Sequence, residues 1–340
     1  MTDVIDVAVA GTGHLGRIHA RILSELPGVR LAAVVDVDRK RAEEVAKERR
    51  CAAFTDCRDL PSSVRAVVVA TPTVTHRDVA GPLLDRGTAC LVEKPMAATP
   101  AEAEDLVARA KRSGATLMAG HVERFNPAVT TILAGGFKPR YFEAQRVSPF
   151  SFRSTDVGVV LDMMIHDLDL VTFLAGAPVS RVDAVGVAVT GVHEDLANAR
   201  LEFENGAVAN LTASRLALKT ERKLRMFAPG AYAVIDFAKR EAQVVRPGED
   251  LPRALAEGKL KLGVLTPLQL MTRDLLRIER PPVKEEESLK REDAEFIAAV
   301  RERRAPSVTG EHGLIAVTVA HRIIASLKER LMRADLGGKS

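Results

Sequence analysis

The first third of the chain alternates short apolar runs with stretches whose apolar residues recur at helical spacing. Runs such as AVVVA are apolar on both faces, which is typical of parallel strands covered by helices on both sides. Repeated strand–helix units of this kind predict a doubly wound α/β fold. The predicted strands are Val4–Ala10, Leu31–Asp36, Ala52–Phe54, Ala66–Ala70, Ala89–Glu93 and Thr116–Gly120, and the predicted helices are Gly16–Leu26, Asp38–Arg49, Thr75–Arg86 and Pro100–Ser113.

Beyond residue 121 the pattern changes to alternating apolar and polar positions. Two such runs, LANARLEF and AVANLTASRL, are joined by an Asn-Gly pair at 205–206, which is the strongest short-range signal of a β-hairpin. A second pair, KLRMF and AYAVIDF, is joined by Ala-Pro-Gly at 228–230. We therefore predict a Rossmann domain over residues 1–121. An α+β domain with a mostly antiparallel open sheet is predicted over residues 122–340.

Other elements of the second domain are predicted with less regular spacing. The stretch 247–287 mixes Pro, Gly and charged residues, and its helical piece, Leu265–Arg277, fits a surface excursion better than a lid or an oligomer contact. The remaining predicted helices are Phe125–Leu133, Val159–Leu174, Arg291–Arg303 and Glu311–Leu331, and the remaining predicted strands are Tyr141–Ser148 and Arg181–Val189.

Composition narrows the class of protein. A chain of 340 residues with 46% hydrophobic residues supports two domains with cores of their own. The net charge of +4 is spread along the chain, which argues against a nucleic-acid partner. The sequence shows neither a signal peptide nor an apolar run that could cross a membrane. Its three cysteines lack CxxC spacing, so we expect reduced thiols, no metal site and a cytoplasmic protein.

A glycine-rich turn, GTGHLG, directly follows the first predicted strand and opens the first predicted helix. In that context a GxGxxG motif indicates a dinucleotide, because the glycines admit a pyrophosphate and the helix N-terminus offers free N–H groups. The predicted cofactor-binding residues of this turn are Gly11, Gly13, His14, Leu15 and Gly16.

Asp36 ends the second predicted strand, at the position where an acid accepts hydrogen bonds from the adenosine ribose. A carboxylate there would repel the 2′-phosphate of NADP, so NAD is favoured over NADP. Arg39 and Lys40 lie close in sequence and could soften this preference, or they could be solvated residues at a helix start.

The segments AVVVATPTVTH and CLVEKP closely resemble the Gfo/Idh/MocA family of oxidoreductases. In that family the strand-end Thr-Pro and the Glu-Lys-Pro tripeptide frame the nicotinamide. Independently of the resemblance, the carboxyl ends of parallel strands are where open α/β sheets bind ligands. The resemblance implies cofactor-binding roles for Thr71, Pro72, His76, Glu93 and Lys94.

The segment LDMMIHDLDL lies in a very apolar predicted helix, in which Asp162, His166 and Asp169 recur at i, i+4 and i+7 and therefore share one stripe. Taken alone, the stripe also fits a hydrogen-bonded core histidine. The family carries an Asp-x-x-x-His pair here, which Asp162 and His166 match. The resemblance then implies hydride transfer in which His166 takes the hydroxyl proton, Lys94 donates to the same oxygen and Asp162 positions the substrate.

Two further segments, GHVERFNPAV and FSFRSTDVGVVLDMMIHDLDL, resemble the branch of the family that oxidises the 3-hydroxyl of UDP-N-acetylglucosamine. Its 3-keto product is aminated for lipid A or surface polysaccharide. The resemblance implies that Arg124 and Asn126 lie near the nicotinamide or the sugar. Basic residues could also meet a diphosphate, since arginine suits bidentate phosphate contacts, and the candidates are Lys138, Arg140, Arg146 and Arg153. Of these we expect Arg153, beside the apolar helix, to do so. Arg124 could instead pair with Glu123 or another carboxylate.

Alternative functions stay open at this stage. An inositol or free-sugar dehydrogenase, or a 3-ketosugar reductase, would share the family and most of these residues. A catalytically silent NAD-binding sensor or scaffold would belong to a different class, although it has no need of Lys94, Asp162 and His166 together. The expected partners are a sugar or UDP-sugar substrate and, from the family resemblance, further copies of the chain in a homodimer or homotetramer.

Overall fold

The computed structural model describes residues 4–150, 157–191, 193–256 and 275–337, and the chain divides into two units. The first unit comprises Met1–Phe125, Leu168–Leu170 and Glu286–Ala325. The second unit comprises Asn126–Asp167, Val171–Glu285 and Ser326–Ser340.

The first unit contains a six-stranded, entirely parallel sheet in the order β3-β2-β1-β4-β5-β6. This order confirms the predicted doubly wound fold. The strands are β1 (Ile5–Ala10), β2 (Val29–Val35), β3 (Ala52–Phe54), β4 (Val64–Val69), β5 (Ala89–Glu93) and β6 (Leu117–Gly120), and the helices between them are α1 (His14–Glu25), α2 (Arg39–Arg49), α3 (His76–Asp85) and α4 (Pro100–Ser113).

The apolar runs form strands because both of their faces are buried. Every residue of β1, β5 and β6 is buried, as a sheet covered on both sides requires. Helix α4 begins with a capping box, in which the Thr99 hydroxyl accepts from the Glu102 N–H and the Glu102 carboxylate accepts from the Thr99 N–H. These local signals explain why the bounds of β5 and α4 match the predicted ones.

The second unit contains an eight-stranded sheet in the order β14-β13-β12-β11-β7-β10-β9-β8. Only β7 and β10 pair in parallel, so the predicted mostly antiparallel sheet is confirmed. Its strands are β7 (Tyr141–Val147), β8 (Val179–Val187), β9 (Leu196–Phe203), β10 (Val208–Ser214), β11 (Glu221–Ala228), β12 (Ala231–Asp236), β13 (Glu241–Pro247) and β14 (Leu276–Glu279).

Two 3₁₀ turns of the first unit, Cys57–Asp59 and Thr73–Thr75, lie before β6, and the remaining helices of the described residues follow it. A 3₁₀ turn, Val122–Phe125, precedes α5 (Pro127–Ala134), and a π-helical turn, Val160–Met164, leads into α6 (Ile165–Ala175). The others are α7 (Asp250–Ala256), α8 (Ser288–Glu302) and α9 (Gly310–Gly337). Within the described part of the chain, no helix combines the length and apolarity that a membrane span needs.

The division of the chain differs from the predicted boundary between residues 121 and 122. Residues 286–325 were expected in the second domain, whereas they pack with the first unit. Helix α8 lies against α1, and the Arg301 guanidinium donates to the Gly28 carbonyl at 3.1 Å. Thr309 forms an antiparallel bridge with Met118 of β6, the edge strand. The chain therefore returns to cover the first sheet after it has built the second.

The stretch from 247 to 287 is only partly covered by the described residues. Residues 265–274 of the predicted helix Leu265–Arg277 lie outside them. Arg277 itself lies in β14, which pairs with β13 and extends the edge of the second sheet. The prediction of a helix is therefore wrong at its C-terminal end.

Candidate active site

The loop between β1 and α1 is built from three glycines, each with its own steric requirement. Gly11 has a φ of +89°, and a Cβ on it would lie 2.5 Å from the Ala70 carbonyl oxygen. A Cβ on Gly16 would lie 1.8 Å from the Gly11 carbonyl oxygen, so only glycine lets helix and strand pack this closely. A Cβ on Gly13 would meet nothing within 4 Å, which leaves the front of the turn open. The turn therefore admits a pyrophosphate against its backbone.

Helix α1 begins two residues earlier than predicted, at His14, with Gly13 as its N-cap. Among the described residues, no side chain caps this N-terminus. The N–H groups of its first turn, including those of Leu15 and Gly16, are consequently placed to bind phosphate oxygens.

Asp36 follows β2 directly, and its carboxylate is anchored by neighbouring N–H and O–H groups. Thr12 donates to Oδ2 from its N–H at 2.7 Å and from its hydroxyl at 2.8 Å, and the Asp38 N–H donates to Oδ1 at 2.9 Å. Burial raises the pKa of Asp36, but these hydrogen bonds outweigh it and hold the pKa below its usual value. The carboxylate is therefore anionic at neutral pH, which favours a ribose hydroxyl and disfavours a 2′-phosphate.

Arg39, at the start of α2, follows the second alternative of the sequence analysis, a solvated residue at a helix start. Arg39 donates from Nε to Glu43 at 2.8 Å on the exposed face of the helix. Arg41, which the sequence analysis did not single out, lines the cavity beside Asp36, with its Nε 3.2 Å from the Asp38 carboxylate. Because Arg41 is held by Asp38, its charge only partly offsets that of Asp36.

A cavity of about 820 Å³ opens beside the glycine turn in the first unit. Its volume lies within the range of pockets that bind cofactors and other small molecules. The open backbone at Gly13 and the anionic Asp36 fit the two polar parts of NAD, its pyrophosphate and its adenosine ribose. The predicted cofactor-binding residues that line this cavity are Gly11, Gly13, Asp36, Thr71 and Pro72.

Removing the Asp36 carboxylate should change the choice of cofactor. We expect Asp36→Ala to lower kcat/KM for NAD about 10- to 100-fold, the effect of losing hydrogen bonds to a charged group. The same change should raise kcat/KM for NADP, because the repulsion is gone. Steady-state kinetics with both cofactors measure the ratio. Glu43→Gln, at an exposed carboxylate of α2, should leave the ratio unchanged, and an unaltered ratio in Asp36→Ala would contradict this role.

His76 joins the two loops that follow β4 and β5. Its Nε2 lies 2.8 Å from the Thr71 carbonyl oxygen and its Nδ1 lies 2.9 Å from the Pro95 carbonyl oxygen. Burial lowers the pKa of His76, so the ring is neutral and its single proton donates to one carbonyl at a time. Because His76 is buried, its hydrogen bonds hold the loops that carry Thr71 and Lys94 in place from the interior of the unit.

Glu93 and Lys94 lie at the carboxyl end of β5, as predicted. The Glu93 carboxylate is buried, and its Oε2 accepts the Lys94 backbone N–H at 3.1 Å. Lys94 is half-buried, and the Lys94–Pro95 peptide bond is cis. The lysine side chain thus starts from a backbone that its own neighbour holds in place.

Arg124 is bound to a carboxylate, which is the alternative that the sequence analysis left open. Its Nε donates to Asp169 Oδ2 at 2.6 Å and its Nη2 donates to Oδ1 at 2.9 Å, and both side chains are buried. Beside them, neither ring nitrogen of the buried His121 has a hydrogen-bond partner among the described residues. Burial lowers the pKa of His121 and keeps its ring neutral. The ion pair accounts for the charge of Arg124 without a ligand.

Breaking this ion pair should destabilise the protein. Asp169→Asn leaves the Arg124 guanidinium buried without its anion, and we expect it to lower the free energy of unfolding by about 3–5 kcal/mol. Equilibrium denaturation with urea measures the loss. As a control, Asp183→Asn removes the exposed partner of Arg330 and should cost less than about 1 kcal/mol. Equal, small losses in both variants would show that Arg124 does not depend on Asp169.

The two predicted catalytic residues of the second unit, Asp162 and His166, lie in a π-helical turn and in the helix that follows it. Asp162 lies within this turn, Val160–Met164, whereas the sequence predicts α-helix from Val159 onward. His166 lies in the first turn of α6, and both Asp162 and His166 are half-buried. Single π turns within helices are rare, and those that occur are frequently found at functional sites.

Glu194 holds the start of the π turn, and the sequence analysis missed it. Its backbone carbonyl accepts the Val159 N–H at 3.1 Å, and its Oε1 accepts the Val160 N–H at 3.1 Å. A Cβ on Gly158 would lie 2.0 Å from the same carboxylate oxygen, so glycine is required there. The adjacent Asp195 is buried. Its Oδ1 accepts from Arg215 Nε at 2.6 Å.

The other candidates of the second unit serve structural contacts or lie outside the described residues. Asp167, next to His166, forms a buried two-pronged ion pair with Arg146, one of the arginines considered for a diphosphate. Asn126 caps α5, with its Oδ1 accepting the Ala128 N–H at 3.0 Å. Arg153 lies outside the described residues.

Family models match both units of the chain. Residues 5–121 match the Gfo/Idh/MocA oxidoreductase family, described as an NAD-binding Rossmann fold. Residues 135–231 match a Gfo/Idh/MocA C-terminal domain.

Relatives and a solved structure agree with these matches. A UDP-N-acetylglucosamine 3-dehydrogenase from Acidithiobacillus ferrooxidans is 42% identical over 241 residues, which cover 71% of this chain and 76% of that protein. The solved structure of UDP-N-acetylglucosamine 3-dehydrogenase GnnA from the same organism superposes with a TM-score of 0.86 at 34% identity, over 96% of this chain and 98% of the other. A scyllo-inositol 2-dehydrogenase (NAD(+)) from Bacillus subtilis is 30% identical over 235 residues, 63% of this chain and 68% of that protein.

The glycine turn, the anionic strand-end acid and the Glu-Lys-Pro strand end all lie in the first unit, within the residues that the first family model matches. Together with the two matched domains, they settle what kind of protein this is. The chain belongs to the Gfo/Idh/MocA family of NAD-binding oxidoreductases, which act on CH–OH groups.

Proposed function

We propose that the protein oxidises the 3-hydroxyl of UDP-N-acetylglucosamine to a ketone, with NAD as the cofactor. One observation carries the choice of substrate: the chain is 42% identical to the Acidithiobacillus ferrooxidans UDP-N-acetylglucosamine 3-dehydrogenase and 30% identical to the scyllo-inositol 2-dehydrogenase. The likeness to the first of these extends over both units in the superposed structures.

In this mechanism the chain's own residues remove the proton of one sugar hydroxyl and stabilise the negative charge that develops on its oxygen. His166 takes the hydroxyl proton as the general base. Lys94 donates a hydrogen bond to the same oxygen and stabilises the negative charge that develops on it. Asp162 accepts from a sugar hydroxyl and orients the ring. Bound NAD supplies the hydride acceptor.

The environment of helix α6 supports this division of roles. Asp167 and Asp169 are both buried and both committed to arginines, Arg146 and Arg124. Asp162 and His166 are only half-buried, so solvent reaches them and a substrate can. Two acids of the segment therefore stabilise the fold, and the Asp-x-x-x-His pair stays accessible for chemistry.

The proposal is tested by measuring NADH formation with a panel of substrates. We expect turnover with UDP-N-acetylglucosamine and much less with UDP-glucose or free N-acetylglucosamine. UDP-N-acetylglucosamine deuterated at C3 should transfer its deuterium to the reduced cofactor and react more slowly. Turnover with label only at another ring carbon would show that a different hydroxyl is oxidised.

An inositol dehydrogenase is the second candidate, because the Bacillus subtilis relative named above acts on scyllo-inositol. Turnover of scyllo- or myo-inositol without any turnover of a UDP-sugar would establish it in place of our proposal. Binding of NAD with no turnover of any polyol or sugar in either direction would instead favour a silent sensor or scaffold.

A further inference from the structure

A buried histidine lies behind the Glu-Lys-Pro strand end, and the mechanism above gives it no role. His19 projects from α1 and is completely buried. Its Nδ1 lies 2.8 Å from Asp293 Oδ1 on α8, and its Nε2 lies 2.9 Å from Glu93 Oε1 at the end of β5. His19 therefore connects the helix of the glycine turn to the residue that precedes Lys94.

Both ring nitrogens of His19 face carboxylates, which accept hydrogen bonds and donate none when ionised. Two such contacts require a proton on each nitrogen, and hence an imidazolium. Burial lowers the pKa of His19, but the charges and hydrogen bonds of Asp293 and Glu93 outweigh it and raise the pKa well above its usual value. The geometry and the raised pKa both favour the protonated ring.

A third carboxyl group completes the cluster. Glu292 is fully buried, and neither of its carboxyl oxygens has a hydrogen-bond partner among the described residues. Burial, with the nearby charge of Glu93, raises the pKa of Glu292 well above its usual value, which favours its protonated form. Burial also raises the pKa of Asp293, against the opposing charge of His19. His19 is the cation that both Glu93 and Asp293 contact.

Glu93 has little freedom in this arrangement. Its Oε1 is bound to His19, and its Oε2 accepts the Lys94 N–H at 3.1 Å. On the neighbouring strand, a Cβ on Gly120 would lie 2.9 Å from the Glu93 Cα and 3.1 Å from Oε2. The carboxylate thus lies between an imidazolium and a glycine backbone. Because its Oε2 accepts the Lys94 N–H, its fixed position also restricts the backbone of Lys94.

We propose that His19 is a positioning residue for the oxidation: it fixes the Glu93 carboxylate, which in turn holds the Lys94 backbone so that the ammonium meets the reacting oxygen. The inference rests on the role of Lys94 in the proposed function. It adds a chain of contacts, Asp293–His19–Glu93–Lys94, that links α8 and α1 to the reacting group.

The test is a double-mutant cycle on kcat. We expect His19→Gln and Glu93→Gln each to lower kcat about 10- to 100-fold, because small displacements of a catalytic group cost this much. KM for NAD should change far less than kcat. The double variant should be no slower than the slower single variant, since both changes break the same chain of contacts. Additive losses would overturn the proposal.

Two further variants keep the test decisive. His321→Gln alters another histidine of the first unit and should leave kcat unchanged. Its Nε2 lies 2.9 Å from the carbonyl oxygen of Ala98, which is outside the Glu-Lys-Pro strand end. Asp293→Asn leaves the His19–Glu93 contact in place and should lower kcat less than Glu93→Gln does. If His19→Gln does not fold, the comparison of these two variants is the test. A larger loss of kcat in Asp293→Asn than in Glu93→Gln would overturn the proposal.

One readout is independent of the substrate. After reductive ¹³C-methylation, the NMR resonance of Lys94 (assigned with Lys94→Arg) should shift in His19→Gln even if no UDP-sugar is oxidised. An unshifted resonance would overturn the positioning role and leave the proposed function intact. A divalent cation bound stoichiometrically in the wild type and lost in His19→Gln would also overturn it. His19, Glu93 and Glu292 have ligand atoms within 4.8 Å of one another and would then be metal ligands.

Discussion

Replacing Lys94 by alanine is expected to lower kcat about 100- to 1,000-fold, the usual effect of removing one donor to a developing oxyanion. The change removes the ammonium from the carboxyl end of β5. It leaves the glycine turn and the Asp36 carboxylate intact, so the affinity for NAD should change little. Steady-state kinetics give kcat, and isothermal titration calorimetry gives the dissociation constant of NAD.

Two controls separate the loss of this donor from a general loss of charge. Lys111→Ala removes an exposed lysine of the first unit that pairs with Glu311 at 2.9 Å, and should leave kcat unchanged. Lys94→Arg keeps the charge but presents a planar fork in place of a compact ammonium, so partial activity is expected. If Lys94→Ala retained a kcat close to that of the wild type, Lys94 would have no part in the chemistry.

The Rossmann half of the fold could be predicted from the sequence because its signals are local. Strand β5 and helix α4 have the predicted bounds. The signals for both are consecutive residues: an unbroken apolar run for the buried strand, and a Thr-Pro pair at the start of the helix. The glycine turn was equally readable, because Gly11 and Gly16 each meet backbone atoms that no side chain could approach. The anchoring of Asp36 by Thr12 was missed, although Thr12 lies within the motif itself.

Long-range contacts were harder to predict. Nothing in the sequence around 286–325 says that these residues cover the first sheet, because their amphipathic helices would suit either unit. The same limit applies to the ion pairs: Asp169 and Arg124 are 45 positions apart, and the stripe of Asp162, His166 and Asp169 gave no reason to separate Asp169 from the others. His19 is a polar residue on the apolar face of α1. That position indicates a buried histidine, and the sequence analysis did not use it.

The π turn shows a different limit. A regular apolar pattern predicts a helix, but it does not reveal one extra residue in a turn. The contact that holds the start of this turn lies 34 residues later, where Glu194 accepts the Val160 N–H and takes the space beside Gly158. Gly158, just before the helix, is the one residue of the local sequence that indicates a close contact there. The sequence therefore points to Asp162 and His166 as candidates, but it does not predict the backbone that carries them.

His166→Asn is expected to lower kcat about 100- to 10,000-fold, because general bases contribute rate factors of this order. Asparagine is close in size and forms hydrogen bonds, but it does not take up a proton at the pH of the assay. The affinity for NAD should be preserved, since the change lies in α6 and spares every residue of the cofactor cavity. The rate of NADH formation with saturating substrate, followed across pH, is the measurement.

The pH profile distinguishes a lost base from a disturbed fold. Wild-type kcat should fall as the pH drops, because the base becomes protonated, and this limb should disappear in His166→Asn. His166→Ala should regain part of its rate when imidazole is added, whereas a misfolded variant would not. His193→Asn, at an exposed histidine of the same unit, should keep both the wild-type rate and its profile. A His166 variant that retained the acid limb would place the proton acceptor elsewhere, and Asp162, one turn earlier, would become the next residue to test.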